Sequence, residues 1–408
     1  MQALPKLDPQ SEGFARDPHH TYTQLRNLPD PYYYEDVDSW MLTKAADVEA
    51  VALNKTMLRN VDHLLSAAER KDAQRKLNWH DMPHHERFVQ TNLLESEGDT
   101  HARLRKLVFR EFTAAMIARQ RDTIQAFVDH LLDGLGDRDA FDFVEDFAAH
   151  VPGHIIGRVI GVPDEDCPRL RVWSEQVVRF FDVGRNDDDK QLAERATKEF
   201  YEYLLTLVAA RRAAPQEDLM TRMVGHQDAG LMSEDELIAT TMLILMAGHG
   251  STIDVLGSGM HALLRFPDQH QRLRDDPKLI NLAVQEMFRF ESPLPYFHRF
   301  ATEDTEVAGR MFKAGTRFGL LYGAANRDPA RFENPDQFDV SRSPNRHIAF
   351  GGGTHFCLGN HLARLDMDVI FTTLNQRFAS IELAHEPAYK PGLSVRGPIA
   401  LNIAVKRH

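Results

Sequence analysis

Apolar residues recur at helical spacing through most of the middle of this chain, from Thr100 to Phe290. The period predicts helices near 100–117, 119–135, 141–160, 168–183, 190–212, 233–265 and 278–290. The segment after Ser233 starts with a capping-box signal, Ser233 followed by Glu236 three residues on. Alternating, strand-like material is confined to the ends. Tyr32-Tyr33-Tyr34 and Ser39 to Thr43 flank an acidic turn, and Ile399 to Val405 alternates behind Gly397-Pro398. From Asn326 to Pro344 the periodicity fades among Pro329, Pro335 and Pro344, and a long irregular stretch inside a compact domain is usually functional. The pattern predicts a mainly α fold with small β-sheets near the termini. Neither repeats nor Ser/Gly linkers interrupt it, so one integrated domain over residues 1–408 is expected.

At 408 residues and 43% apolar content, such a chain can bury a large core. Its net charge of −12 argues against nucleic acid and anionic membranes as partners. Met1 to Gly13 carries no basic segment followed by an apolar one, so no signal peptide is expected. The apolar run Met242 to Gly248 is too short to span a bilayer. With two cysteines, Cys167 and Cys357, there is no disulfide framework, which fits a reducing, cytoplasmic setting. Cys167 reads as an ordinary thiol at a loop or helix start.

The densest chemistry lies in Phe350-Gly351-Gly352-Gly353-Thr354-His355-Phe356-Cys357-Leu358-Gly359, which leads into a helical pattern, Leu358 to Phe371. A cysteine at a helix N-terminus is favoured as thiolate. The glycines would let the backbone approach a flat ligand and turn amide N–H groups toward the sulfur. No histidine–acid pair is evident to make it a protease nucleophile; a soft anionic metal ligand fits better. The loop satisfies F-G-x-G-x-H-x-C-x-G at every fixed position, and in this it resembles the haem-binding signature of the cytochrome P450 family. The resemblance extends from about His101 to the C-terminus.

What that resemblance implies is a largely helical fold holding haem b, with Cys357 as the axial iron ligand and Phe350, Gly351 and His355 around it. His101 and Arg105, one helical turn apart, match the family's H-x-x-x-R pair for haem propionates, and Arg299 and His355 match further propionate ligands. Arg103, Lys106 and Arg110 form a second stripe, suited to docking an acidic electron donor. Glu286 and Arg289 match E-x-x-R and imply a structural lock onto the irregular stretch, through Arg342. Ala247 and Gly248 match the oxygen-activation motif, whose glycines imply close approach of the cofactor. There the sequence departs from the family: Gly250 stands at the acidic position and Ser251, beside Thr252, at the usual threonine. Water, His249 or Asp254 are the candidates to replace the missing proton relay.

By position, Trp79, Phe88, Phe181, Leu243, Leu294, Phe297 and Ile399 would line the substrate pocket, and their apolar character suggests a small lipophilic substrate. His80, His84 and His85 lack a completing carboxylate or cysteine at metal-ligand spacing, so a mobile access loop is expected there instead. The implied activity is insertion of one oxygen atom from O2 into a C–H bond, by hydroxylation or oxidative demethylation. Electrons would come from NAD(P)H through a reductase and an iron–sulfur ferredoxin or flavodoxin-type carrier, since no such segment lies in this chain. The missing acid leaves open a peroxide-driven peroxygenase and a haem-thiolate sensor without turnover.

Overall fold

A computed structural model describes residues 5–408; the first four residues of the stretch read for a signal peptide lie outside them. Helix makes up 57% of the chain and the strands are short, so the fold is mainly α, as expected. The chain resolves into two compact units, one of residues 1–57, 117–151 and 251–408, the other of residues 58–116 and 152–250.

The first unit contains the sheets. Strands Tyr32–Tyr34 and Ser39–Leu42 form the predicted hairpin, with Tyr33 opposite Trp40. Ser39–Leu42 then pairs in parallel with Arg317–Leu321, which pairs antiparallel with Tyr296–Ala301. These last two strands lie far from either terminus and correct the expectation that strand material is confined to the ends. Neither alternates. Arg317–Leu321 is buried almost throughout, like an interior strand with both faces covered, and Tyr296–Ala301 buries an arginine, Arg299, among its aromatics. Gly319 is required at their centre, since a Cβ there would stand 2.2 Å from Met41 Sδ. A three-stranded sheet is built from Ala140–Asp142, Asn402–Arg407 and Phe378–Leu383. Ala140–Asp142 occupies the expected start of a helix over 141–160. Asp142 then accepts hydrogen bonds from the N–H groups of Val144 and Glu145, capping a π-helical turn, Phe143–Ala148, ahead of the α-helix Val151–Ile160.

In the same unit Glu286 and Arg289 are fully buried and joined by two 2.7 Å hydrogen bonds. Arg289 also donates to the carbonyls of Asn326, Pro335 and Gln337, while Arg342 Nε lies 3.1 Å from each Glu286 oxygen. The irregular stretch is thus pinned to the helix Ile280–Phe290, through Arg342 as expected.

The second unit is helical. Its longest helix, Asp187–Ala213, is closed by an Asn186–Asp189 capping box, and Glu234–Ala247 by the predicted Ser233–Glu236 box. The helix expected over 233–265 is broken at Gly248-His249 and resumes as Gly250–Arg265. Taken together, 234–265 is long and apolar enough to cross a membrane by length and composition, at mean hydropathy 1.2. Yet 72% of its most apolar window is buried within the protein, as in a core helix.

Candidate functional site

The cysteine loop is a tightly self-bonded turn of the first unit. Cys357 N–H donates to Phe350 O at 2.9 Å, Phe356 N–H to Gly353 O at 3.1 Å, and Asn360 Nδ2 to Cys357 O at 2.9 Å. The N–H of Cys357 is therefore directed at its own loop. Gly351 and Gly353 hold positive φ, 68° and 66°. A Cβ on Gly353 would lie 2.6 Å from Ala52 O, and one on Gly352 would lie 3.3 Å from Leu53. These two glycines seat the loop on the helix Ala45–Leu53, which corrects the expectation that they serve approach to a flat ligand. Cys357 is half-buried, and the helix Asn360–Arg377 begins three residues after it, which places it near the positive end of that dipole. Arg364, one turn into that helix, stacks over the Phe350 ring at 4.2 Å. Burial lowers the pKa of this guanidinium, and negative charge on Cys357 opposes the shift. His355 ends a short helical turn, half-buried.

Arg299 is buried on its strand and gives one N–H to His298 O at 2.8 Å. Phe297 is half-buried on the same strand and Leu294 just precedes it, while Ile399 is 51% exposed. On the first turn of Gly250–Arg265, Ser251 is half-buried and Thr252 buried. Asp254 is buried and takes a 2.6 Å hydrogen bond from Lys390, an ion pair within the unit.

In the second unit, His101 is buried and Arg105 half-buried on the helix Gly98–Phe109. Lys106 and Arg110 are exposed, whereas Arg103 is held by Glu236 at 2.6 Å and by Leu231 O at 2.8 Å, so the basic stripe loses one member to a local ion pair. Glu234–Ala247 is buried from Leu237 to Met246 at every position except Leu243; Ala247, one turn on, is exposed. This uncovered strip of apolar and small side chains, on an otherwise buried helix, suits the face of a flat apolar molecule. Gly248 has a different reason: a Cβ there would stand 2.9 Å from Ile156, so it permits contact with Val151–Ile160. His249 packs its ring on Gly153 of that helix, where a Cβ would lie 2.2 Å from the imidazole. Burial, with help from Arg171, lowers its pKa to about 4, leaving it neutral at physiological pH. At Gly250 a Cβ would meet nothing within 4 Å.

Trp79, Phe88 and Phe181, singled out by position alone, are gathered around one residue that sequence reasoning set aside, His85. Its ring centroid lies 5.8, 6.3 and 5.3 Å from theirs. Only the run of aromatics near His85 could have hinted at this, since Phe181 arrives from a distant segment. Among the described residues, no group of histidine, cysteine and acidic side chains is arranged to hold a free metal ion.

Each unit carries groups that suit haem: in the first, a half-buried thiol just before a helix and the guanidinium of Arg299; in the second, His101 and Arg105 as donors for carboxylates and the apolar strip at Leu243 and Ala247. A family profile described as Cytochrome P450 matches residues 55–392. The polyketide biosynthesis cytochrome P450 PksS of Bacillus subtilis is 32% identical over 374 residues, covering 90% of this chain and 89% of its own. The 6-deoxyerythronolide B hydroxylase of Saccharopolyspora erythraea is 31% identical over 404 residues, covering 97% and 98%. The solved structure of P450BioI, in complex with hexadec-9Z-enoic acid ligated acyl carrier protein, superimposes with a TM-score of 0.90 at 29% identity, covering 97% of this chain and 99% of that one.

Proposed function

Because the chain belongs to the cytochrome P450 family, and is a haem b monooxygenase, we propose that it inserts one oxygen atom from O2 into a C–H bond of a small lipophilic substrate, by hydroxylation or oxidative demethylation. Haem b supplies the metal centre at which dioxygen is reduced. The observation that carries the reading is the half-buried Cys357 thiol on a loop that satisfies the family signature throughout.

Cys357 would bind the iron as thiolate, favoured by the helix dipole and by the Arg364 guanidinium near it. His101, Arg105, Arg299 and His355 would hold the propionates, each by charge-assisted hydrogen bonds. Leu243 and Ala247 would lie against the ring face. Ser251 and Thr252 would hold the water that carries protons, because the alternatives are otherwise engaged. Asp254 is tied to Lys390, and His249 is neutral and packed on Gly153. With Gly250 in place of an acid, hydroxyls and water are what remain on this side.

The relatives support a lipophilic substrate, one a polyketide-pathway enzyme and one crystallised with a fatty acyl chain. Electrons would arrive from NAD(P)H through a reductase and a ferredoxin or flavodoxin in the cytoplasm, with Lys106 and Arg110 exposed for docking. A peroxygenase remains the second reading, favoured by Gly250 alone; efficient product formation from hydrogen peroxide without redox partners would support it.

The test is spectroscopic. The reduced, haem-loaded protein should give the thiolate-type carbon monoxide difference band, and Cys357→Ser should lose it. A Cys357→Ser protein that keeps the band removes the cysteine from the iron.

A further inference from the structure

His85 is 3% exposed, and its Nδ1 has no hydrogen-bond partner among the described residues. Four aromatic rings surround the imidazole: Trp79 and Phe180 edge-on, with Phe180 at 5.1 Å, and Phe88 and Phe181 tilted. A buried polar atom left unpaired costs stability, so its retention in so apolar a setting calls for a compensating use.

The surroundings are built rather than loose. Both carboxylate oxygens of Glu194 accept from the start of the helix Pro83–Thr91, one from His84 N–H and one from His85 N–H, each at 3.0 Å. Arg185 donates to Phe180 O at 2.9 Å and to Leu77 O at 2.6 Å, joining the segment before Trp79 to the segment that carries Phe180 and Phe181. Phe88 and Phe180 are buried, while Trp79 and Phe181 are only half-buried. Burial, aided by the nearby charge of Arg185, lowers the imidazole pKa to about 3, which keeps it neutral. A neutral imidazole nitrogen amid aromatic rings recognises an uncharged polar group on an apolar body; it does little for a carboxylate.

We propose that His85 anchors the substrate, its Nδ1 hydrogen-bonding a neutral carbonyl or hydroxyl group of a lipophilic molecule whose hydrocarbon body lies against Trp79, Phe88 and Phe181. This rests on the haem-thiolate reading and narrows its substrate to oxygen-bearing lipophiles rather than bare hydrocarbons or fatty-acid anions.

Matched pairs of probes, limonene with carvone and diphenylmethane with benzophenone, test it by equilibrium dialysis and spin-state titration of the haem-loaded protein. The wild type should take a ketone about tenfold more tightly than its hydrocarbon partner, the worth of one hydrogen bond in an apolar site. His85→Phe should abolish that preference while keeping hydrocarbon affinity, and His85→Gln, which retains a donor and an acceptor, should keep part of it. An undiminished ketone preference in His85→Phe, no preference in the wild type, or no binding of either member of either pair overturns the assignment. The carbon monoxide band is recorded for every variant: if it persists while the preference fails, only the role of His85 falls, and if it is missing from the wild type the haem-thiolate reading falls with it.

Discussion

Two buried sites in this protein treat their polar atoms in opposite ways. At Glu286 and Arg289, in the first unit, charge is saturated. Glu286 receives Arg289, Arg342, the Asp339 N–H and Asn345, and Arg289 spends its remaining N–H groups on three backbone carbonyls. At His85, in the second unit, one ring nitrogen stands unpaired among four aromatic rings. By residue type alone the first resembles an acid–base pair and the second a stray core histidine. Satisfaction reverses that ranking. A carboxylate whose lone pairs are all taken has nothing left to offer a substrate, whereas an unpaired nitrogen in a neutral box does.

The largest effect that would test this contrast is at Arg289. Arg289→Met removes the hub's central cation and leaves Glu286 buried with Arg342 as its main counter-charge. Breaking a buried pair from one side costs about 3–5 kcal/mol, and the stretch from Asn326 to Gln337 loses its three anchors as well. Urea unfolding should show a loss of that order, with poorer haem retention. His85→Phe measured alongside should shift stability by less than about 1 kcal/mol, since an unpaired polar atom is being exchanged for an apolar one. Equal losses at the two sites would erase the distinction.

Much of this was legible beforehand, and the reasons differ from place to place. The lock among Glu286, Arg289 and Arg342 and the capping box at Ser233 are local or motif-borne, so a linear string carries them. The strand Arg317–Leu321 was not legible, because an interior strand has no polar face to alternate with and a central Gly319 weakens the run. Gly248 and Gly353 were visible as glycines, but what each makes room for, Ile156 in one case and Ala52 O in the other, comes from distant segments. The break at Gly248-His249 was hidden for the same reason: an apolar period continues across it, while His249 turns aside to pack on Gly153. His85 was weighed by residue type as a metal ligand and set aside in favour of an access loop, when its meaning lies in the rings brought to it from residues 79, 88, 180 and 181.

A second, smaller effect concerns acid. His249 has a pKa lowered from 6.5 to about 4 by burial, so the folded chain keeps it neutral while the unfolded chain takes up a proton. The unfolded state then binds more protons, and stability that is full above about pH 6.5 is lost as pH falls toward 4, below which the loss levels off. At about pH 5 the cost from this residue is about 2 kcal/mol. His85 and His347, each lowered to about 3 by burial, add to the same limb. His249→Leu should therefore flatten the decline in urea stability between about pH 7.5 and pH 5 by about 2 kcal/mol, without removing it. An unchanged decline would mean that the imidazole is solvated in the native state, and would weaken the case for treating it as packing rather than as a proton carrier.

The smallest expected effect is at Gly250, and it bears on what an apolar site gains from sparse polarity. A Cβ at this position meets no protein atom within 4 Å, so Gly250→Glu starts without a clash at its first carbon. If hydroxyls at Ser251 and Thr252 with water are all that feed protons to this side, a carboxylate one residue away adds a fixed donor. Turnover in the reconstituted enzyme should then rise severalfold, and a smaller share of NAD(P)H electrons should appear as hydrogen peroxide. Substrate affinity should stay constant, because Trp79, Phe88, Phe181 and His85 are untouched. A variant with unchanged turnover and unchanged peroxide would show that proton supply does not limit the native enzyme, and that the water route is already sufficient without the acid. A variant that loses affinity instead would place the substrate against Gly250, making the bare backbone there a determinant of shape rather than of proton delivery.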